Sequence, residues 1–419
     1  MASANLDHLP TEIYLKIFRK VADIGSLDSL LRASPTAYRL FDAYAVEITE
    51  AVLESGFTFG HIRVIFRIIA LLRAGTLPIS SLRDLCEQVL DESMIHKFRV
   101  RESRTGCAPR KLRKDTSPAV LRSVLATTRH INCIAHECLS TALARFNALE
   151  PEHLVDEALA ASPDDTFPFW KSKPATKKFR VTEDFGPPIW TEEQRVTRAC
   201  WRLQLIYDLK RAAERGKLVW PEADISTLKE MAAIVPPTED DPFNAGGPSQ
   251  SLYNLTQHKW VGQNSNPAHP EFEEIVTIID HVRDKYGHGA AEKMANGFLS
   301  CKHLNGNREI QRVWPLPRPI SHQYLEAIQA SYAARLSPCS LLSRDRFGRT
   351  PQLGKEVLRF HPYRPLGFAF WTCKRLQIHG FCEYNERKAC VIRNYFAWCS
   401  VLGPEELARV ERDFDASTC

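Results

Sequence analysis

A chain of 419 residues, 44% hydrophobic and 25% charged, has the composition of a folded protein and the length for one large domain or two to three ordinary ones. Its formal charge of +5, from 55 basic against 50 acidic residues, is too small an excess to indicate a nucleic-acid or membrane-surface partner. Twelve cysteines scattered over this length exclude a disulfide scaffold, which would be shorter and denser, and point to reduced thiols in a cytoplasmic or nuclear protein.

Residues Met1 to His8 show no basic start followed by an apolar run, so no secretory leader is expected. The longest clean apolar stretch, Ile68 to Leu72, is closed by Arg67 and Arg73, far short of the roughly 20 residues a membrane span requires. Helical periodicity dominates and period-2 alternation is scarce, so the expected fold is mainly α. In chain order the spacing predicts helices over 11–22, 27–33, 35–54, 61–74, 80–98, 118–146, 192–215, 222–235, 271–300, 322–336, 365–379, 386–400 and 404–414. Three stretches interrupt them. Residues 99–117 are basic, 161–190 are rich in proline, lysine and aromatics, and 236–270 carry Pro236-Pro237, an acidic patch and Gly246-Gly247-Pro248. The last is expected to be a linker or loop. The organisation read from this is an N-terminal unit over 6–52, a helical region over 53–235, the linker, and a C-terminal helical region over 271–419 packed with 53–235.

The N-terminal unit carries the most specific pattern. Pro10 stands near a helix start, where its missing N–H costs nothing. Leu9, Ile13, Ile17 and Val21 follow at four-residue spacing and form an apolar stripe that Phe18 widens. Gly25 breaks the chain, and Ser26 is expected to cap a short helix carrying Leu27, Leu30 and Leu31. Ser34-Pro35 then reads as an N-cap followed by an N1 proline, opening a helix that presents Tyr38, Phe41, Ala45 and Ile48. These helices carry more apolar surface than about 45 residues can bury among themselves, so the excess should pack on the rest of the chain or meet a partner.

The run Leu9-Pro10-Thr11-Glu12-Ile13 with Ile17-Phe18, then Leu27-Asp28-Ser29-Leu30-Leu31 and Ala33-Ser34-Pro35 with Tyr38, resembles an F-box of the kind found in a large group of filamentous-fungal proteins. Two positions depart from that pattern: Tyr38 stands near where many F-boxes carry tryptophan, and Asp28 fills a place that is often apolar. The resemblance implies a three-helix F-box followed by a larger, irregular α-helical domain. It also implies docking on the Skp-type adaptor, and through it on a cullin–RING ubiquitin ligase, with Leu9, Pro10, Ile13, Ile17, Leu30 and Tyr38 at the family's docking positions. The chain would then be a substrate receptor for a client protein, without catalysis or cofactor of its own. Two other readings stay open: a scaffold that binds the adaptor outside the ligase, and a helical protein with a small-molecule site near Phe368 to Trp371. Fainter echoes of the same group lie in Arg195, Arg198-Ala199, Arg202, Leu205 and Leu209, and in Gly367-Phe368, Phe370-Trp371 and Arg375-Leu376. As packing, these read as core aromatics and aliphatics with solvated arginines.

Other constellations carry less. His130, Cys133, His136 and Cys138 share one predicted helix, where steps of three, three and two fan them around the axis, so no metal site is expected there. Cys373, His379, Cys382 and Cys390 lack paired short spacing. Gly287-His288-Gly289 follows a helix instead of a strand, so it reads as a helix break, not a dinucleotide turn. The acidic doublets, Glu192-Glu193 and Glu273-Glu274 among them, are expected on loops or solvated first turns. The basic run from Lys97 to Lys114 lacks interleaved aromatics, so nucleic acid is not an expected partner.

Overall fold

The computed structural model describes residues 9–55, 58, 60–85, 111–154, 175–181, 183–230, 270–295, 314, 360–382 and 388–417. The fold is mainly α, with a single small pair of strands among these residues.

Helix α1 (Thr11–Lys20) buries Tyr14 and Phe18, four residues apart. The predicted stripe Leu9, Ile13, Ile17 and Val21 lies beside this row and is not its core face. Ile13 is exposed and the other three are half-buried. The helix has two neighbouring apolar rows, and the aromatic one, with more area to remove from water, takes the core. Helix α2 (Ile24–Ala33) starts earlier than the sequence suggested. Asp23, not Ser26, caps it: its carboxylate accepts from the Ser26 amide at 2.9 Å and the Ser26 hydroxyl at 2.6 Å. Helix α3 (Pro35–Glu54) opens as expected on Ser34, whose Oγ accepts from the Ala37 amide at 3.1 Å. Phe41, Ala45 and Ile48 face the core, but Ala37 takes the place expected for Tyr38, which points outward. At Tyr44 the backbone leaves helical geometry (φ −128°, ψ 27°), so α3 kinks there. The Ser34 hydroxyl also shares a hydrogen bond of 2.9 Å with the Tyr14 phenol, tying α1 to the start of α3. Ser34→Ala removes both the cap and this tie. It is expected to cost about 1–2 kcal/mol, read as a lower urea midpoint at unchanged m-value.

The chain continues through α4 (Gly60–Ala74), the short α5 (Leu82–Leu85) and the long α6 (Pro118–Asn147). A strand β1 (Glu152–Leu154) pairs antiparallel with β2 (Thr176–Lys178), Glu152 opposite Lys178. Neither strand was legible in the sequence. Then follow α7 (Trp190–Glu214), α8 (Glu222–Glu230), α9 (Pro270–Tyr286), α10 (His288–Ala295), a 3-10 turn (His361–Leu366), α11 (Cys373–Ile378), α12 (Lys388–Cys399) and α13 (Pro404–Ser417). Two predicted helices are divided. The stretch 271–300 breaks at Gly287, φ +86°, in line with the helix break read there. The stretch 365–379 is instead a 3-10 turn and a separate short helix. Between them Gly367 adopts φ +74°, and a Cβ at this residue would come within 2.8 Å of the Ala142 Cβ. The expected helix over 322–336, most of that over 80–98, the basic residues 97–110 and all but the last residue of 236–270 lie outside the described residues.

Helix α7 is the centre of the molecule. Of its 25 residues, 17 are buried, so no single polar face is left to it. It packs against α4, α6, α8 and α9, while α6 reaches across both α2 and α3. One continuous apolar core runs from Tyr14 to Trp398. The N-terminal helices therefore share their core with the remainder of the chain, and Tyr14, Phe18, Leu27, Leu31 and Phe41 belong to it.

One buried base gives the fold an acid limb. His281 on α9 is almost fully buried, and its Nε2 has no hydrogen-bond partner. Burial, reinforced by Arg145 of α6 and opposed by Asp284 on its own helix, lowers its pKa from 6.5 to about 4. The native state thus favours the neutral ring, and the unfolded state binds more protons between those two values. The contribution is complete above pH 6.5 and is lost as pH falls towards 4. The shift corresponds to on the order of 3 kcal/mol. Urea unfolding at pH 7 and pH 5 should show about 2 kcal/mol of this loss in the wild type and a smaller one in His281→Leu.

Candidate partner-docking surface

The three N-terminal helices divide their apolar residues between two environments. Tyr14, Phe18, Leu27, Leu31, Ala37 and Phe41 are buried. None of the six residues at the expected docking positions is. Pro10, Ile13 and Tyr38 are exposed, and Leu9, Ile17 and Leu30 are half-buried, Leu9 and Leu30 leaning on the core. Among the described residues the large hydrophobic side chains that remain exposed are Ile13 (38%), Tyr38 (41%), Tyr44 (40%), Val181 and Val219. Three of these five belong to α1 and α3, which concentrates unburied apolar surface on the first helices.

The six are not gathered in one cavity. Tyr38 lines an open groove of about 680 Å³ between α2, the start of α3 and α6, and the other five do not. Leu31, Pro35, Tyr38 and Leu125 form its apolar floor. Arg32, Arg39, Arg122 and Asp28 are its charged lining. The Arg122 guanidinium sits 4.7 Å from the Tyr38 ring centroid and is held from behind by an ion pair with Asp42. Arg39 reaches only the Thr36 hydroxyl, at 3.4 Å. Burial raises the pKa of the Asp28 carboxyl, a rise opposed by Arg129 and Arg32. Sequence reasoning named Tyr38 but missed this groove, because Arg122 and Leu125 come from α6, more than 80 residues downstream.

A second polar cluster was expected at the surface and is buried instead. Arg195, Arg202, Arg364 and Arg375 are buried, as are Glu192, Glu273 and Glu274, so neither solvated arginines nor solvated acidic doublets describe them. Glu192, two residues into α7, accepts from its own helix start at Ile189 N–H (3.0 Å) and from Arg375 Nε and Nη2 (3.0 and 2.8 Å). The helix begins at Trp190, two residues before the predicted start, and Glu192 caps it by this reach to Ile189. Arg195 Nη1 donates to the carbonyls of Phe370 and Trp371, Arg198 pairs with Glu274 of α9, and Arg364 pairs with Glu273 and Asp280. At the far end of α7, Asp208 receives a two-pronged contact from Arg73 of α4, 2.9 Å in each arm. These contacts fasten α7 to its neighbours. Phe368, Phe370 and Trp371, where a small-molecule site was considered, are wholly buried. Phe368 and Trp371 pack their rings on Phe146.

The cysteine and histidine clusters scatter. His136 stacks on Trp314 with ring centroids 4.1 Å apart, while burial beside Cys200 pushes the Cys138 thiol far up. His379 lies against Phe146, its Nδ1 3.0 Å from the Arg375 carbonyl. Among the described residues, no three histidine, cysteine or acidic side chains converge on a metal position. The described end of the basic run is tethered by Leu112, whose amide donates to Glu50 at 2.6 Å, while Arg113 pairs with Asp115 in solvent. No helix among the described residues is long and apolar enough to cross a membrane. Compared with known proteins, the chain matches no family model, no curated protein and no solved structure.

Proposed function

We propose that this chain is a substrate-receptor subunit of an SCF-type cullin–RING ubiquitin ligase, docking through an F-box over 6–52 on a Skp-type adaptor and recruiting a client. The observation that carries the reading is the division of labour on the first helices. The rows needed for folding are buried, while the six residues matching the docking pattern all keep surface in solvent. Covering an exposed aliphatic side chain of this kind contributes up to roughly 1.5–3 kcal/mol to association, against the cost of immobilising two proteins. The receptor does no chemistry. It raises the effective concentration of client lysines near a charged conjugating enzyme.

The test is capture of a purified Skp-type adaptor by the full chain, compared with Leu9→Ala/Pro10→Ala and with Ile13→Glu. Ile13 is exposed, so its substitution should leave the melting temperature within a degree or two and remove capture. Failure of the intact chain to bind the adaptor, or equal binding by all three proteins, rejects the proposal. Adaptor recovered from cells without cullin would select the scaffold reading over the ligase.

A further inference from the structure

The groove between α2, α3 and α6 has a composition that calls for a ligand of particular chemistry. Its floor is apolar, and two of the floor residues, Leu31 and Leu125, are the outer edge of the core itself, so the floor is rigid. Tyr38 offers an aromatic face at 41% exposure, with Arg122 fixed beside it by Asp42. Of the three arginines that line it, Arg122 is paired with Asp42 and Arg32 lies near Asp28, which leaves the charge of Arg39. Asp28 interacts with Arg129 of α6 and Arg32 on its own helix, so those charges oppose one another. Arg39 has no carboxylate partner; its only hydrogen bond goes to a neutral hydroxyl. Among the described residues, Arg39 thus adds one positive charge without a carboxylate partner to a groove that Tyr38 lines with an exposed ring. A volume of about 680 Å³ lies in the range of sites that hold a small ligand or the side chains of a peptide.

We propose that this groove binds an acidic peptide segment of a partner protein, with an aromatic or branched apolar side chain on the floor formed by Leu31, Pro35, Tyr38 and Leu125, and a neighbouring carboxylate on Arg39. Arginine suits the second role because its planar fork accepts a carboxylate in two parallel hydrogen bonds. The exposed Tyr38 ring explains why acidity alone is insufficient: a purely charged segment would leave it without an apolar partner. The proposal is independent of adaptor docking, although Tyr38 is common to both, and Arg39 and Ile13 separate them.

The experiment is fluorescence anisotropy with the full chain and a labelled peptide carrying one phenylalanine between pairs of glutamates. The comparators are the same peptide with lysines for glutamates, the peptide with alanine for phenylalanine, and a short oligothymidine. The wild type should bind the first and not the lysine peptide, and alanine for phenylalanine should weaken binding. Arg39→Glu should weaken it by about tenfold or more, Arg39→Lys by less, and Arg215→Glu, a remote exposed charge reversal, not at all. Circular dichroism melting of each variant establishes that the fold is kept. Absence of binding by the wild type, binding unaffected by Arg39→Glu, or oligothymidine binding equal to the peptide's and lost in Arg39→Glu would each overturn the proposal. Adaptor capture, read in Ile13→Glu, does not enter this outcome.

Discussion

Arg375→Met is expected to destabilise the fold by about 3–5 kcal/mol, the range found when one partner of a buried ion pair is removed and the other keeps its charge. Both Arg375 and Glu192 are completely buried. Arg375 uses its whole fork: Nε and Nη2 on Glu192, Nη1 on the Gly186 carbonyl at 3.0 Å, and Nη2 also on Pro187 at 2.9 Å. Its plane lies over Phe185 at 4.4 Å and near Trp371 at 5.0 Å, so methionine replaces the stem but not the bonds. Glu192 would keep the Ile189 amide and the amide and hydroxyl of Thr372, which is too little for a charge with no access to water. Arg375→Lys keeps the charge but cannot span the carboxylate and two carbonyls together, so it should recover only part of the loss. The double variant Arg375→Met/Glu192→Gln should be more stable than Arg375→Met alone, because the stranded charge is gone. Urea unfolding of the three proteins decides this, and a loss below 1 kcal/mol in Arg375→Met would mean that water reaches Glu192.

Phe146→Ala is expected to cost a similar amount, about 3–5 kcal/mol, by opening a cavity where five rings meet. Phe146 is at the last turn of α6 and fully buried. Its ring lies 5.7 Å from Phe368, 5.7 Å from Trp371, 4.5 Å from His379 and 5.8 Å from Phe381. These partners come from the loop and short helix after the 3-10 turn, where Gly367 brings the backbone against α6. Alanine would remove the one side chain all four share, and the surrounding rings, anchored by the Trp371 Nε1 bond to the Leu366 carbonyl, cannot collapse to fill it. Phe146→Leu should cost less than half as much. Equal losses for the two substitutions would indicate that ring contacts, and not volume, dominate at this site.

These expectations depend on features that differ in how far the sequence discloses them. The mainly α class, the Ser34-Pro35 helix start and the break at Gly287 were legible because each rests on local chemistry. A cap, a fixed φ and a left-handed residue need no distant partner. The face of α1 was misread because Leu9, Ile13 and Ile17 and the pair Tyr14 and Phe18 both recur at four residues, and only the packing of α2 and α3 decides between them. The buried arginines were misread for a stronger reason. An arginine next to aliphatics on a helix looks solvated until its carboxylate is known, and Arg375 finds Glu192 at a separation of 183 residues. The groove escaped for the same cause, since α6 supplies one wall. The six docking positions were named from a pattern, and their shared exposure is a property of the folded chain that the pattern alone does not contain.

The separation between Glu192 and Arg375 also has a consequence in time. Synthesis proceeds at roughly 5–20 residues per second, so Glu192 leaves the ribosome on the order of ten to forty seconds before its partner exists. Until then α7 carries, two residues into its core-facing length, a carboxylate that cannot be enclosed without a cost of several kcal/mol. The helices before it can gather early, because α4 and α6 supply Arg73 and the apolar face from upstream sequence. The first turn of α7, by contrast, lacks its partner until Arg375, 183 residues on, arrives to make long-range contacts that are slow to form. In this protein the segment around Arg375 acts as the closing stitch, and a nascent chain halted before Arg375 would leave Glu192 without its buried partner.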